Sequence, residues 1–419
     1  MSAEVAREIE QLRRDGKLAD AGQKIIDTAK RRGGMDAFLT HQYALTLMAN
    51  GNFAEARDTF VLLTQKFPHG ALLWFNIGRC SEIMGDYEVA RHAFRVAIQS
   101  YREKPGQPDE ARSWFGMGAV LFRLGEDGNA ESFWRDGLEK PCDSDNGIFE
   151  RSQVKLALGM YTTDAWQDYE YRKKLMGYQQ GLKARVKNWD TPPEWTGDRR
   201  WRGVVAAVGG QGAGDVIMFS RYLPAVEELT EMRPCLFAGE PLERFLGYRS
   251  SGGMAWCALD SLPLLLRRLE PIPPHCADPW RRPWNTKPRV GVCWKGSPHH
   301  LNDKDRSSPT DFRFALKDDR WEIVSLQEGK GFHPKDYQET AELMRTLDAV
   351  VTVDTSVVHL AGTLGVPTVL IPPTCPEWRW GISGETTPWY PSVRIVRRKR
   401  WDEWDGAIQR AKQKLEELL

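Results

Sequence analysis

Residues 351–373 read VTVDTSVVHLAGTLGVPTVLIPP, and the order of apolar, polar and apolar residues in this stretch decides the fold. Ala349 to Val353 is apolar and largely β-branched, short enough for a strand buried on both faces. Thr355 or Ser356 stands where a helix N-cap is needed. Val357, Leu360, Ala361 and Leu364 then recur at helical spacing, Gly365 reads as the C′ residue and Pro367 as the stop. Thr368 to Ile371 reads as a second strand. Strand, helix and strand form one unit, parallel and right-handed. The helix therefore starts at the carboxyl edge of the sheet, where α/β proteins bind ligands. Its unpaired amides and dipole favour an anion. Side chains lean toward a helix's start, so His359, one turn past the cap, either stands over that anion site or is a half-buried imidazole satisfied by a carbonyl.

Working outward, 419 residues suffice for two or three domains with ample core. The 58 basic and 57 acidic residues leave a net charge of +1, which argues against a dedicated nucleic-acid binder. The densest basic run, Arg394, Arg397, Arg398, Lys399 and Arg400, reads as solvated surface or as a rim that attracts a charged ligand. No run reaches the roughly 20 apolar residues of a membrane span, and the charged, helical N-terminus does not read as a secretory leader. Seven scattered cysteines without a C-x-x-C pair suit a reducing compartment, so a cytoplasmic location with free thiols and no zinc site is expected.

The first third repeats itself. Gly51, Phe53, Ala56, Phe60 and Pro68 are followed by Trp74, Gly78, Gly85, Tyr87, Ala90, Phe94 and Ala97, with Gly51 and Gly85 34 residues apart. A third copy, Trp114, Gly118, Gly125, Ala130 and Trp134, is displaced by 40 residues, with KPGQPD at 104–109 as the insertion. A weaker copy surrounds Gly16, Ala21 and Ile25. This period, with small residues where two helices touch and glycine in the turn, resembles tetratricopeptide repeats. Such hairpins stack into a solenoid whose concave groove can take a peptide or protein. A spacer or a dimerisation arm, which would make a homo-oligomer, is the other use. The expected divisions are repeats over 1–146, a helical linker over 147–200, a first α/β half over 201–285 and a second over 286–419.

In the first half, Val204 to Val208 reads as a strand and Gly209, Gly210, Gly212 and Gly214 as a loop whose backbone can approach a ligand closely. The spacing lacks the G-x-G-x-x-G fingerprint, which disfavours a nicotinamide or flavin enzyme. Asp215, where a helix begins, reads either as its cap or as a general base at the sheet's edge. In the second half, RVGVCWKGSPHHLNDKDRSSP (289–309) is a strand and polar loop in which Lys295, Lys304 and Arg306 can meet phosphate, Arg306 through a bidentate fork. His299 and His300 read as solvated. Asp303 and Asp305, like Asp143 and Asp145, match a short D-x-D pattern of metal-dependent sugar transfer that is common in polar loops; no metal is expected. Residues 321–329 read as a strand ending at Gln327, residues 374–391 as an aromatic loop with Glu377, Arg379 and Trp389, and Trp404, Ile408, Ala411, Leu415 and Leu418 as the buried face of a last helix.

The combination of these motifs resembles the metal-independent GT-B glycosyltransferases, built of two Rossmann-like halves around a cleft. More closely, it resembles bacterial tetratricopeptide-repeat glycosyltransferases, relatives of the heptosyltransferases and more distantly of the O-GlcNAc transferases. The stretches that carry the resemblance are YTTDAWQDYEYR, GGQGAGDVIMFSRYLP, VGVCWKGSPHHLNDKDRS, VSLQEG, DAVVTVDTSVVHLAGTLGVPTVL, EWRW and TPWYP, in order over roughly 160–400. The resemblance implies an α plus α/β chain, a helical solenoid followed by two Rossmann-type halves. It implies an inverting transfer from a nucleotide-diphosphate sugar to an acceptor hydroxyl, with a protein acceptor recruited by the repeats. Asp215 and His359 would be catalytic, with Asp215 the base. Lys295, Arg306, Asp354, Thr355, Ser356 and Val357 would hold the donor diphosphate together with Gly212 and Gly214, and Gln327 and Glu377 would contact ribose or sugar. The first half departs from the pattern by being short, so an acceptor-side strand or helix should be missing. A non-catalytic adaptor whose α/β part only senses a nucleotide sugar is the alternative.

Overall fold

The computed structural model describes residues 3–185, 192–201, 203–210, 212–248, 253–276, 278–284, 286–298 and 300–419. Gln211 of the glycine loop, His299 and part of the proline- and tryptophan-containing stretch 188–201 lie outside the described residues. The chain divides into two compact units: Met1–Val154 with Lys174–Met176, and Lys155–Lys173 with Gly177–Leu419. The segment expected as a linker is thus shared between them.

The first unit is a run of antiparallel helical hairpins: α1 (Ala3–Arg14), α2 (Leu18–Arg32), α3 (Ala37–Ala49), α4 (Phe53–Thr64), α5 (Ala71–Met84), α6 (Tyr87–Glu103), α7 (Glu110–Leu124) and α8 (Asp127–Leu138). The repeat positions explain its geometry. Gly85 and Gly125 end α5 and α7 in the left-handed region, both at φ 83°, where a Cβ is strained. A Cβ at Gly78 would stand 2.7 Å from the Phe94 ring, and one at Gly118 2.3 Å from Trp134, so the helices of a hairpin close only over glycine. Ala56, Phe60, Leu63, Leu73 and Ile77 form the core between successive hairpins. The insertion 104–109 lies between α6 and α7.

The second unit holds two parallel sheets. The first comprises β1 (Val205–Val208), β2 (Cys235–Phe237) and β3 (Ala255–Ala258), in the order β2-β1-β3. The second comprises β4 (Arg289–Cys293), β5 (Glu322–Ser325), β6 (Ala349–Val353), β7 (Thr368–Ile371) and β8 (Val393–Ile395), in the order β5-β4-β6-β7-β8. Both sheets reverse direction beside their first strand. The two switch points, between β1 and β3 and between β4 and β6, are where open α/β sheets leave a crevice at their carboxyl ends. Valines of β4, β6 and β7 are buried on Phe312, Leu316 and Trp321 and on the last helix, Trp404–Leu418, through Trp404, Ala407, Ile408, Ala411 and Leu415.

The segment Thr163–Lys173 is bound into this unit. Trp166 and Tyr169 pack edge-to-face with Trp378, and Trp166 does the same with Phe219. Arg172 makes a buried two-pronged bond to Asp260, at 2.8 and 2.6 Å, just past β3. The basic run at 394–400 is solvated surface only at its end, where Lys399 and Arg400 are exposed. The side chain of Arg398 is wholly buried against Asp305 at 2.7 Å, Arg397 donates to the carbonyl oxygens of Trp380, Ser383 and Gly384, and Arg394 donates to that of Pro391. These guanidinium groups hold together loops that carry no strand hydrogen bonds of their own.

Candidate active site

The site grows out of three chain reversals at the sheets' carboxyl edges. After β6, Thr355 caps the helix Ser356–Leu364, its hydroxyl accepting from the Val357 amide at 3.2 Å. After β1, the helix Ala213–Phe219 begins with Gly212 in the N-cap position, so Asp215 is the third helical residue and not the cap. Its carboxylate reaches back to the Gly212 amide, as the acid of a capping box does. The two helices meet at Gly214: a Cβ there would stand 2.6 Å from His359 Cδ2 and 3.0 Å from Nε2. The glycine loop and the helix carrying the histidine are therefore in direct contact.

Arg379, from the short helical turn Trp378–Trp380, joins the two sides. Its Nη2 donates to Asp215 Oδ1, its Nη1 lies 3.3 Å from Glu377 Oε2, and its guanidinium lies 4.8 Å from the Trp378 ring centre. Burial works against its charge, but Asp215, Glu377 and Asp354 outweigh burial and hold it protonated well above the usual range. Burial raises the Asp215 carboxyl above its ordinary value despite Arg379, with Asp260 and Glu377 adding to the effect. Asp354, at the end of β6, is pushed up to about 6 by burial and by Glu377, against the pull of Arg379 and Arg306.

His359 is 4% exposed, and its Nδ1 lies 2.9 Å from the Tyr390 hydroxyl. Burial, then Arg379, Arg221 and Arg306, hold its pKa far below the ordinary imidazole value. It is neutral at physiological pH, so it brings no positive charge to a diphosphate. That charge resides on Arg306 and Arg379. Arg306 lies over Gly296, where a Cβ would meet Nη2 at 2.4 Å, and its guanidinium hydrogen-bonds to no described residue; its Nε is buried and unpaired.

The other residues expected here divide in two. Glu377, Asp354, Thr355, Ser356, Val357, Gly212 and Gly214 belong to this neighbourhood. Gln327 faces the β4 loop instead of an open ribose position: its Oε1 accepts from the Trp294 and Lys295 amides at 3.2 and 2.9 Å. Only the amide of Lys295 is held in this way, and its side chain is exposed, as is His300. Asp305 cannot serve a metal pair, because its oxygens take up Arg398, the Thr374 amide and hydroxyl, and the Cys375 amide. Among the described residues no group of three or more His, Cys, Asp or Glu is placed to hold an ion.

A narrow cleft too tight for a water molecule adjoins Asp215, lined by Gly209, Gly210, Val216, Phe219, Leu259 and Asp260. A larger hollow of about 280 Å³ lies at the other end of the His359 helix, among Pro274, Cys276, Gly362–Gly365 and Ser392. Sequence reasoning left Arg379, Tyr390 and Asp260 out of the site. Arg379 had a local signal in its aromatic loop, but its partner is 164 residues away, and Tyr390 and Asp260 had none.

A helical-repeat unit and a two-sheet parallel unit, with the helix that carries Asp215 packed on the helix that carries His359, make a repeat-bearing α/β chain. Residues 43–105 and 84–140 match the tetratricopeptide repeat, and residues 334–416 match glycosyltransferase family 9 (heptosyltransferase). The chain thus joins tetratricopeptide repeats to a segment that matches a glycosyltransferase domain. It is 24% identical over 413 residues to protein FlbA of Caulobacter vibrioides, covering 82% of this chain and 66% of FlbA, just under two thirds of that protein's length. Among solved structures, a mutant of the Thermobaculum terrenum O-GlcNAc transferase matches 91% of this chain and 92% of its own at 12% identity, with a TM-score of 0.33. The MamA protein matches 44% of this chain and 94% of its own at 16% identity, with a TM-score of 0.28. Among the described residues no helix is long and apolar enough to cross a membrane.

Proposed function

We propose that the chain is an inverting, metal-independent glycosyltransferase that moves a sugar from a nucleotide-diphosphate donor to a hydroxyl of a protein held by the repeats. The observation that supports this reading is the contact of Gly214 with His359, which brings the helix carrying Asp215 against the Ser356–Leu364 helix. The donor diphosphate would lie against the amides that begin at Ser356, with Arg306 as its first cation. Arg379 would leave Asp215 for the diphosphate as the donor enters. Asp215, freed and raised in pKa by burial, would take the acceptor proton while the acceptor oxygen bonds to the anomeric carbon. The bond from that carbon to the diphosphate oxygen breaks, the electron pair stays on the diphosphate, and a single displacement inverts the centre. Fixed donors at the leaving group do the work that a metal does elsewhere. Neutral His359 would orient the helix start through Tyr390 and supply no charge.

The test is sugar transfer from a panel of radiolabelled nucleotide sugars into protein of a cell extract. Asp215→Asn should lower labelling by about 10²–10⁴-fold, the range of a lost general base. Unchanged labelling by both Asp215→Asn and His359→Ala would end the assignment. The three-stranded first sheet favours a second reading, an adaptor that binds the donor without turning it over. Donor-dependent thermal stabilisation without any labelling would select it.

A further inference from the structure

We propose that Tyr390, backed by Arg221, is a positioning residue that keeps the proton of His359 on Nε2, where it donates a hydrogen bond to the leaving diphosphate; the proposal rests on the transferase reading above. A neutral imidazole carries one N–H, and the partners of its two nitrogens decide which of them holds it. His359 Nδ1 lies 2.9 Å from the Tyr390 hydroxyl. No described group pairs with Nε2, which lies on the ring edge turned toward Gly214: a Cβ there would stand 3.0 Å from it. The Trp380 ring packs on the imidazole at 5.4 Å between centres. Once the Tyr390 hydroxyl donates to Nδ1, the imidazole proton can only be on Nε2.

Arg221 sets the direction of that bond. It stands in the short helical turn Ser220–Tyr222, 4% exposed, and no described carboxylate pairs with it. Its Nε donates to the Met218 carbonyl oxygen and its Nη1 to those of Ile272 and Trp389, each at 2.7 Å, while Nη2 is buried without a partner. A guanidinium buried without a counter-ion is costly, so a fold that keeps one needs its charge there. The guanidinium lies 4.7 Å from the Tyr390 ring centre. Arg221 and Thr363 both turn toward the phenol oxygen without completing a hydrogen bond to it. Arginine only donates, and so close a cation turns the phenol hydrogen away from itself, toward Nδ1. Burial raises the Tyr390 pKa against the pull of Arg221 and Arg379, so the hydroxyl keeps the proton it donates.

With its proton on Nε2, His359 presents an N–H on the glycine-loop side of its helix, leaning toward the helix start. Transfer leaves negative charge on the diphosphate, and a fixed donor aimed at developing charge stabilises the transition state more than the bound substrate. Because the imidazole is neutral, Arg306 and Arg379 can stand near it without repulsion.

The experiment uses the full chain with isotope-labelled histidine and reads the tautomer of His359 from its long-range proton–nitrogen NMR pattern, identified among the eight histidines by its loss from His359→Gln. The parent should show Nε2–H at neutral pH. Tyr390→Phe, near-isosteric, should move the Nδ1 signal toward that of an unbonded imidazole nitrogen. A proton on Nδ1 in the parent, or an unmoved Nδ1 signal in Tyr390→Phe, would overturn the proposal. Sugar transfer from radiolabelled nucleotide sugars gives a second readout. A glutamine amide nitrogen stands near the place of Nε2 and an asparagine amide nitrogen near that of Nδ1. His359→Asn should therefore lower kcat about 10²-fold and His359→Gln by no more than about tenfold, with the donor KM little changed in both. Equal losses would overturn the proposal as well. An Nε2–H signature in a parent that transfers no sugar would sink the transferase reading and leave the tautomer assignment standing.

Discussion

The two parallel sheets put their crevices at the same topological place and fill them in opposite ways. At the mouth of the first sheet every strong charge has a partner: Asp260 is held by Arg172 and Tyr178, and Asp215 by Arg379. At the mouth of the second, charges are crowded but poorly matched. Asp354 sits buried beside Glu377 with its carboxyl pushed up to about 6, and Arg306 has a buried Nε without a partner. A mouth with satisfied charges is built for stability. One with an unpaired cation beside a helix start has binding free energy in reserve for an anion. On the proposed reading, the first edge would supply the base and the second would supply recognition.

The largest expected effect breaks the first mouth. Asp260→Ala would leave the Arg172 guanidinium, 1% exposed, with Glu170 as its remaining charged partner, and removal of one partner of a buried pair costs about 3–5 kcal/mol. At roughly 2–4 °C per kcal/mol for a domain of this size, the melting temperature should fall by about 10 °C. A fall below about 3 °C would mean that this mouth is not the tighter of the two.

The same kind of deletion at the second mouth should act in the opposite direction. Asp354 has a pKa raised by burial and Glu377 above its unfolded value, so the folded state binds its proton more tightly than the unfolded state does. Its favourable contribution is complete below about pH 4 and is lost as pH rises through about 6. Asp354→Asn should therefore stabilise the protein by roughly 2–3 kcal/mol at pH 8, with the gain gone by about pH 4. Denaturant midpoints at the two pH values measure this. A variant less stable than the parent at pH 8 would show that the charges of this mouth are matched after all.

How far these mouths could be read beforehand depends on whether the signal was local. The strand Ala349–Val353, the Thr355 cap, Gly365 and the strand Thr368–Ile371 lie where the sequence put them, because cap, periodicity and C′ glycine all fall within 23 residues. Helical repeats were legible for the same reason. Strands β2, β3 and β8, of three or four residues, are too short for a period to show, and β8 overlaps the start of the run read as basic surface. Arg398 was misjudged because the residue that explains its burial, Asp305, is 93 positions away. Arg379 and Tyr178 were overlooked likewise: their carboxylates are 164 and 82 residues distant, and nothing in local composition distinguishes a paired arginine or tyrosine from a packed one.

The smallest expected change in stability belongs to Arg306, and it sharpens the contrast most. Its guanidinium hydrogen-bonds to no described residue, so the folded state gives up little when the side chain is cut back. Arg306→Ala should alter stability by no more than about 0.5 kcal/mol, as for a substitution away from any paired network. Its charge nevertheless lowers the His359 and Asp354 pKa values, which places it within electrostatic reach of the capped helix start. A charge-assisted bond to phosphate contributes about 1.5–3 kcal/mol, so donor affinity should fall roughly 10–100-fold. Titration calorimetry with the donor picked out by thermal shift checks both halves of this expectation. Lost affinity with stability intact is the signature of a cation kept for a ligand. Lost stability with affinity intact would make Arg306 one more internal brace, like Arg398, and the second mouth as closed as the first.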